Sequence, residues 1–321
     1  VASAASPRRG WPTAIRPAPG TAFHGLGAQV SWQRTVLAVL AVFVVTRVVK
    51  WHLPPLADGL HLPVLGSATS FAVDLAAAGL CVPIVLALIR VIEGRPAGTL
   101  SSVAGHLRYR WLAGCLLPAG LCQLVYLAVF YGPGSLAATF VSPWMAPSPR
   151  TAAAVAVLLL PLIVMQCASE EYVSRGVALQ AVRVGRSMWL AIVAQAVGWT
   201  LLHGISGPLT WPGSTDLMVW GLMLGWITVR TGGLEAAIAY HAAGNTIVCF
   251  LALKMGGPQA LAGSASAGSA PSWRLPAAAL IAGALYLSWI AARAASRSLP
   301  ATTPAEPQPA STTPHPGRSA R

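Results

Sequence analysis

Between residues 35 and 292 the chain is a succession of long apolar runs interrupted by short clusters of arginine, glycine and proline. The runs lie at about 35 to 50, 70 to 92, 111 to 131, 153 to 182, 188 to 206, 216 to 230, 234 to 254 and 276 to 292. A helix rises about 1.5 Å per residue and the hydrocarbon core of a bilayer is about 30 Å thick, so most of these runs can cross a membrane as helices. The first and sixth cover only about 22 Å as written. They must therefore be extended by neighbours, thin the bilayer, or lie shielded among other helices. The pattern predicts an all-α, polytopic membrane bundle of about eight transmembrane helices, with no internal repeat.

Residues 1–33, rich in Pro, Gly, Ala and Arg, and 296–321, dominated by Pro, Ser and Thr, are expected to be a mobile amino-terminal tail and a disordered carboxyl-terminal tail. The folded part divides into amino-terminal transmembrane helices over 34–149, a chemistry-bearing bundle over 150–255, and an outer loop with a last helix over 256–295. The start does not read as a cleavable signal peptide: Arg8, Arg9 and Arg16 are followed by a Pro/Gly-rich stretch, and the first apolar run begins only near Arg34.

Composition agrees with the pattern. Of 321 residues 55% are hydrophobic and 9% charged, with mean hydropathy +0.64, whereas soluble domains carry about 25% charged residues. The formal charge of +13 is spread singly or in pairs at the ends of apolar runs, as membrane helices are flanked, so nucleic acid is not an expected partner. Arg8, Arg9, Arg16, Arg34, Arg90, Arg95, Arg108, Arg110, Arg183, Arg186, Arg230, Arg293 and Arg297 collect on one side. The positive-inside rule makes that side cytoplasmic, with both termini in. Arg47 and Lys50 oppose the assignment, falling at the outer end of the first run. Five unclustered cysteines within apolar stretches read as small hydrophobes.

Ionisable residues inside apolar runs carry the chemical information. Only eight acids occur in the chain, and Glu170 and Glu171 are adjacent in the fourth run. In Glu170-Glu171-Tyr172-Val173-Ser174-Arg175, Glu171 and Arg175 are four apart and share a helix face, where they can pair. Glu170 is turned away by about 100° and lacks that local partner. A carboxylate with poor solvation suits a general base; the same residues also suit a purely structural ion network. His203 closes the fifth run in Trp199-Thr200-Leu201-Leu202-His203, and His241 opens the seventh, four residues before Asn245. His and Asn on one face can position a water or an oxyanion. Counting rise from the connecting turns brings Glu170, His203 and His241 to similar depths, so the groups are expected to converge in one cavity. Asp74, Glu235 and Cys167 are expected at an interface, at a helix N-terminus favoured by the dipole, and in packing. Trp111, Trp189, Trp211 and Trp220 read as mostly interfacial aromatics.

The ordered motifs Glu-Glu-x-x-x-Arg at 170–175, aromatic-x-x-x-His at 199–203 and His-x-x-x-Asn at 241–245, preceded by Thr231-Gly232-Gly233-Leu234, resemble the CPBP intramembrane endopeptidases. These comprise the type II CAAX prenyl proteases and the bacteriocin-processing or self-immunity proteins. The resemblance covers about 150 to 255, and Trp199 stands where the family usually has Phe. It implies that Glu170 activates a water for attack on a peptide carbonyl with help from His203, that His241 and Asn245 stabilise the oxyanion, and that Glu171 and Arg175 support the site. The expected partners are membrane lipid and a membrane-associated peptide or protein, in a bacterial plasma membrane. No cofactor is expected. A His/His/Glu set also suits catalytic zinc, whose ligands would be Glu170, His203 and His241, but Asn245 at histidine spacing fits an oxyanion better than a zinc shell. Two other classes compete: a non-catalytic immunity or scaffold protein keeping the motif as a polar core, and an ion-carrying transporter.

Overall fold

The computed structural model describes residues 17–56, 69–132, 134, 149–182, 187–204, 210–254 and 273–304. Eight long helices occur among them. They are α1 (Trp32–Leu56), α2 (Thr69–Leu88), α3 (Tyr109–Tyr131), α4 (Pro149–Glu171), α5 (Met188–His203), α6 (Trp211–Thr231), α7 (Glu235–Lys254) and α8 (Arg274–Ser296). A π-helical turn over Ile89–Glu93 prolongs α2, and another over Tyr172–Ala178 prolongs α4. Five of these spans, around α1, α2, α3, α4 and α8, are long and apolar enough to cross a membrane. The chain is an integral membrane protein.

The run boundaries need correction at α1, α5 and α6. The first run is embedded in a 25-residue helix that continues through His52, Pro54 and Pro55, which gives it about 37 Å of length. Proline near the end of a membrane helix is tolerated because neighbouring groups satisfy the freed carbonyls. The sixth run belongs to a 21-residue helix, started by the Thr210 hydroxyl accepting from the Gly213 amide. The short member is instead α5, with 16 residues, about 24 Å.

The order of packing runs α1 on α2, α2 on α4, α4 on α7, α7 on α3, α3 on α8, α8 on α6 and α6 on α5. Helix α7 lies at the centre: Ala236, Ala237, Ala239 and Tyr240 are fully buried. Its alanines let flanking backbones approach, the usual way helices associate where lipid removes any hydrophobic drive between them. At the α5–α6 crossing a Cβ on Gly221 would stand 2.9 Å from the Ala196 backbone, and Gln195 Nε2 donates to the Gly221 carbonyl at 2.7 Å.

One end of the bundle is tied together by polar contacts. Glu235, the first residue of α7, is fully buried, and its carboxylate accepts from the Arg108 guanidinium at 2.7 and 2.9 Å. Its placement thus rests on an ion pair to the α2–α3 connection as well as on the helix N-terminus. Arg95 bonds Glu93, Thr99 and Gln180 in a second buried cluster. The inner parts of the two tails are packed, not loose: Phe23 is fully buried, and Gly20 and Thr21 exchange backbone hydrogen bonds with Thr303. Both tails therefore leave from the same end of the bundle. Residues 1–16, within the tail expected to be mobile, and 305–321, within the tail expected to be disordered, lie outside the described residues, as does the outer loop over 256–272. Trp189 and Trp211 are exposed. Trp111 departs from the interfacial expectation, being buried and stacked on Trp289 at 6.3 Å between centroids.

Candidate functional site

Glu170 and Glu171 stand where α4 passes from α-helical to π-helical winding. Such π turns widen the helix and recur at functional sites. Here the turn keeps Arg175 on Glu171: Nη1 donates to Oε1 at 3.0 Å, with both side chains fully buried. The guanidinium also lies 4.4 Å from the centre of the Trp199 ring, so it is held by a carboxylate and by an aromatic face. Glu171 Oε1 accepts a second bond, from His241 Nδ1 at 2.8 Å. Trp199 thus backs the site: its ring is 4.3 Å from His203 and 5.6 Å from His241. The two histidines, 38 positions apart in sequence, flank one indole.

Ring orientation follows from the bonds. A backbone carbonyl can only accept, so His203 Nδ1, 2.8 Å from the Trp199 carbonyl, is the donor and Nε2 is the free ring nitrogen. Against an ionised Glu171 the same reasoning makes His241 Nδ1 a donor. His241 Nε2 then faces Glu170 Oε2 at 3.8 Å. Glu170 does not point to lipid. Its side chain is 22% exposed and lines a cavity of about 120 Å³ together with Lys50, Ser169, Trp199 and His203.

Lys50 was not among the residues expected at the site. Its ammonium lies 3.2 Å from Glu170 Oε1, which supplies the partner that Glu170 lacks on its own helix. The cation that ran against the positive-inside assignment is therefore turned into the bundle, and that anomaly was its signal in the sequence. Lys50 also borders a second cavity of about 500 Å³, lined by Asp74, Gln166 and Asn245 among others.

Asn245 belongs to this second cavity. Its Nδ2 donates to Gln166 Oε1 at 3.0 Å, so the structure does not aim it at the same point as His241 Nε2. Asp74 is exposed and lines the same cavity. Cys167 is buried packing, with its thiol on Gln166. Trp220 contributes to the site's surroundings, edge-on to His241 at 6.2 Å, rather than to an interface.

Among the described residues no group of three or more His, Cys, Asp or Glu side chains is spaced to hold a metal ion. One oxygen of Glu170 is already met by the Lys50 ammonium, a fixed positive charge beside the position a divalent cation would need.

Residues 152–247 match the family described as type II CAAX prenyl endopeptidase Rce1-like. That stretch contains Glu170, Glu171, Arg175, Trp199, His203, His241 and Asn245; Lys50 precedes it. No curated protein matches the chain.

Proposed function

We propose that this chain is an intramembrane endopeptidase that hydrolyses a membrane-associated peptide with a water activated by Glu170, a reading supported by the match of residues 152–247 to the type II CAAX prenyl endopeptidase Rce1-like family. The observation that carries the reading is the Glu170 carboxylate held inside the bundle between Lys50 and His241, in a cavity that also presents His203.

The chemistry needs a base, a donor for the developing oxyanion, and enough room for water and a peptide carbonyl. Glu170 Oε2 takes the proton as water attacks the carbonyl carbon. His203, with Nε2 turned away from its carbonyl anchor, assists that transfer. His241, oriented by Glu171 and carrying a proton on Nε2, donates to the oxyanion; the proton on Glu170 then passes to the leaving amine. Asn245 joins His241 as a second donor once its amide leaves Gln166, in keeping with catalytic hydrogen bonds that tighten only when substrate is bound. The buried Glu171–Arg175 pair fixes the His241 ring and the face of Trp199.

The cavity lies between helices that present apolar residues outward, among them Phe43 on α1 and Leu201 on α5. A substrate arriving along the bilayer fits this setting. The inner parts of both tails meet at one end of the bundle, which together with the arginine distribution supports a reading in which both termini face the cytoplasm.

The direct test is comparative membrane proteomics of cells carrying the wild type and Glu170→Gln. A membrane protein or peptide that accumulates uncleaved in the variant is expected and names the substrate. If the two proteomes are alike while the Glu170→Gln cells keep the wild-type phenotype, the protein is a scaffold or immunity factor with a polar core.

The water-activation reading also makes a prediction about metals. Purified protein treated with EDTA and dialysed is expected to retain its rate of hydrolysis on a fluorescence-quenched mixed-sequence peptide library. Loss of activity that returns on adding Zn²⁺ would rule out the glutamate mechanism.

A further inference from the structure

Helix α1 contributes a cation to a site otherwise built from α4, α5 and α7, and it does so from outside the family-matched stretch. Near Lys50 the helix offers an easy route to the interface: Leu56 ends it six residues later, and Trp51 is 73% exposed. A lysine six residues from a helix end ordinarily extends its amine toward headgroups. Lys50 instead turns its ammonium inward to Glu170 Oε1, with the side chain 34% exposed. Arg47, one turn earlier, lines the same cavity, but its guanidinium lies over the Phe43 ring.

The pairing decides how Glu170 is presented. A carboxylate has two oxygens; with Oε1 taken by Lys50, Oε2 is the one left facing His241. The charge also matters, because an unpaired carboxylate in a poorly hydrated bundle would tend to take up a proton and cease to be a base. We infer that Lys50 is a positioning residue of this site, whose ammonium holds Oε1 of Glu170 so that Oε2 stays aimed at His241 and the attacking water. The inference rests on the endopeptidase reading for its catalytic meaning, but the coupling between Lys50 and Glu170 has consequences that need no substrate.

The groups that face Glu170 are Lys50 and Arg47 from α1, Cys81 from α2, His203 from α5 and His241 from α7, with Arg175 and Cys167 on its own helix. Lys50 is the cation in direct contact with it. Removing that charge while the others remain disfavours the ionised carboxylate. Titration of Glu170 should therefore move to higher pH.

The experiment is an infrared pH titration of the reconstituted protein, with the Glu170 carboxyl band assigned by its absence in Glu170→Gln, run on wild type, Lys50→Met and Lys50→Arg. In parallel, hydrolysis of the mixed-sequence peptide library is followed across pH. Lys50→Met is expected to raise the band's midpoint, to move the acid limb of the rate profile upward with it, and to lower kcat at least tenfold with KM little changed. Lys50→Arg should restore most of both. A midpoint that does not move, or a Lys50→Met rate profile that superimposes on the wild type, overturns the inference even when Glu170→Gln is inactive. Activity persisting in Glu170→Gln would instead sink the endopeptidase mechanism, and the titration would still judge the coupling.

Discussion

Glu170→Gln is expected to lower peptide hydrolysis by a factor of about 10²–10⁴, the range for losing a positioned general base, while the purified protein unfolds at nearly the wild-type temperature. Glutamine keeps the length and one accepting oxygen, so Lys50 retains a hydrogen-bond partner, but it cannot take a proton from water at neutral pH. The structural cost should be small because neither member of the Lys50–Glu170 pair is fully buried: the side chains are 34% and 22% exposed. An ion pair in such a place contributes about 1 kcal/mol or less, and Lys50 has a path to the nearby helix end. The check is the rate on the mixed-sequence library beside a thermal unfolding curve in the same detergent. A variant within tenfold of the wild-type rate would mean that another group activates the water. A variant that has lost both rate and fold would mean that Glu170 is part of the core and not poised in a cavity.

The site was readable where its residues stand out against apolar neighbours. Glu170, Glu171, Arg175, His203 and His241 are polar groups in helices otherwise fit for lipid, and helical spacing alone pairs Glu171 with Arg175. Counting rise per residue also brought the two histidines together, as their shared contact with Trp199 bears out. Lys50 was legible only as an exception to charge asymmetry. Its partner is 120 residues away on another helix, and no local period links α1 to α4. Asn245 illustrates the opposite limit: spacing puts it one turn from His241, yet rotamer and neighbours decide which cavity its amide enters, and Gln166 takes it. The first run, counted as apolar residues alone, stops near residue 50, whereas a helix between lipid and neighbours carries His52, Pro54 and Pro55 to its last turn. The π turn after Glu171 left no pattern to read. Winding of that kind is set by how the helix is clamped, here by Arg175 between Glu171 and Trp199.

That clamp leads to the second large effect. Arg175→Met is expected to destabilise the protein by about 3–5 kcal/mol, because removing one member of a fully buried ion pair strands the other charge. Glu171 would be left with His241 as its hydrogen-bond partner, and the Trp199 face would lose the guanidinium stacked on it. The double variant Glu171→Gln/Arg175→Met removes the stranded charge and should recover part of the loss, since a buried pair replaced as a unit is often close to neutral. Thermal unfolding of the wild type, both single variants and the double variant in one detergent gives the coupling directly. Non-additivity of at least about 1 kcal/mol is expected; strictly additive losses would mean that the two groups do not depend on each other. Recovery of stability need not restore catalysis. In the double variant His241 Nδ1 meets a neutral amide oxygen in place of a carboxylate, a weaker acceptor that holds the ring less firmly in line with an oxyanion. Peptide hydrolysis should therefore stay depressed in a protein that folds again, which separates the structural duty of the Glu171–Arg175 pair from its duty toward His241.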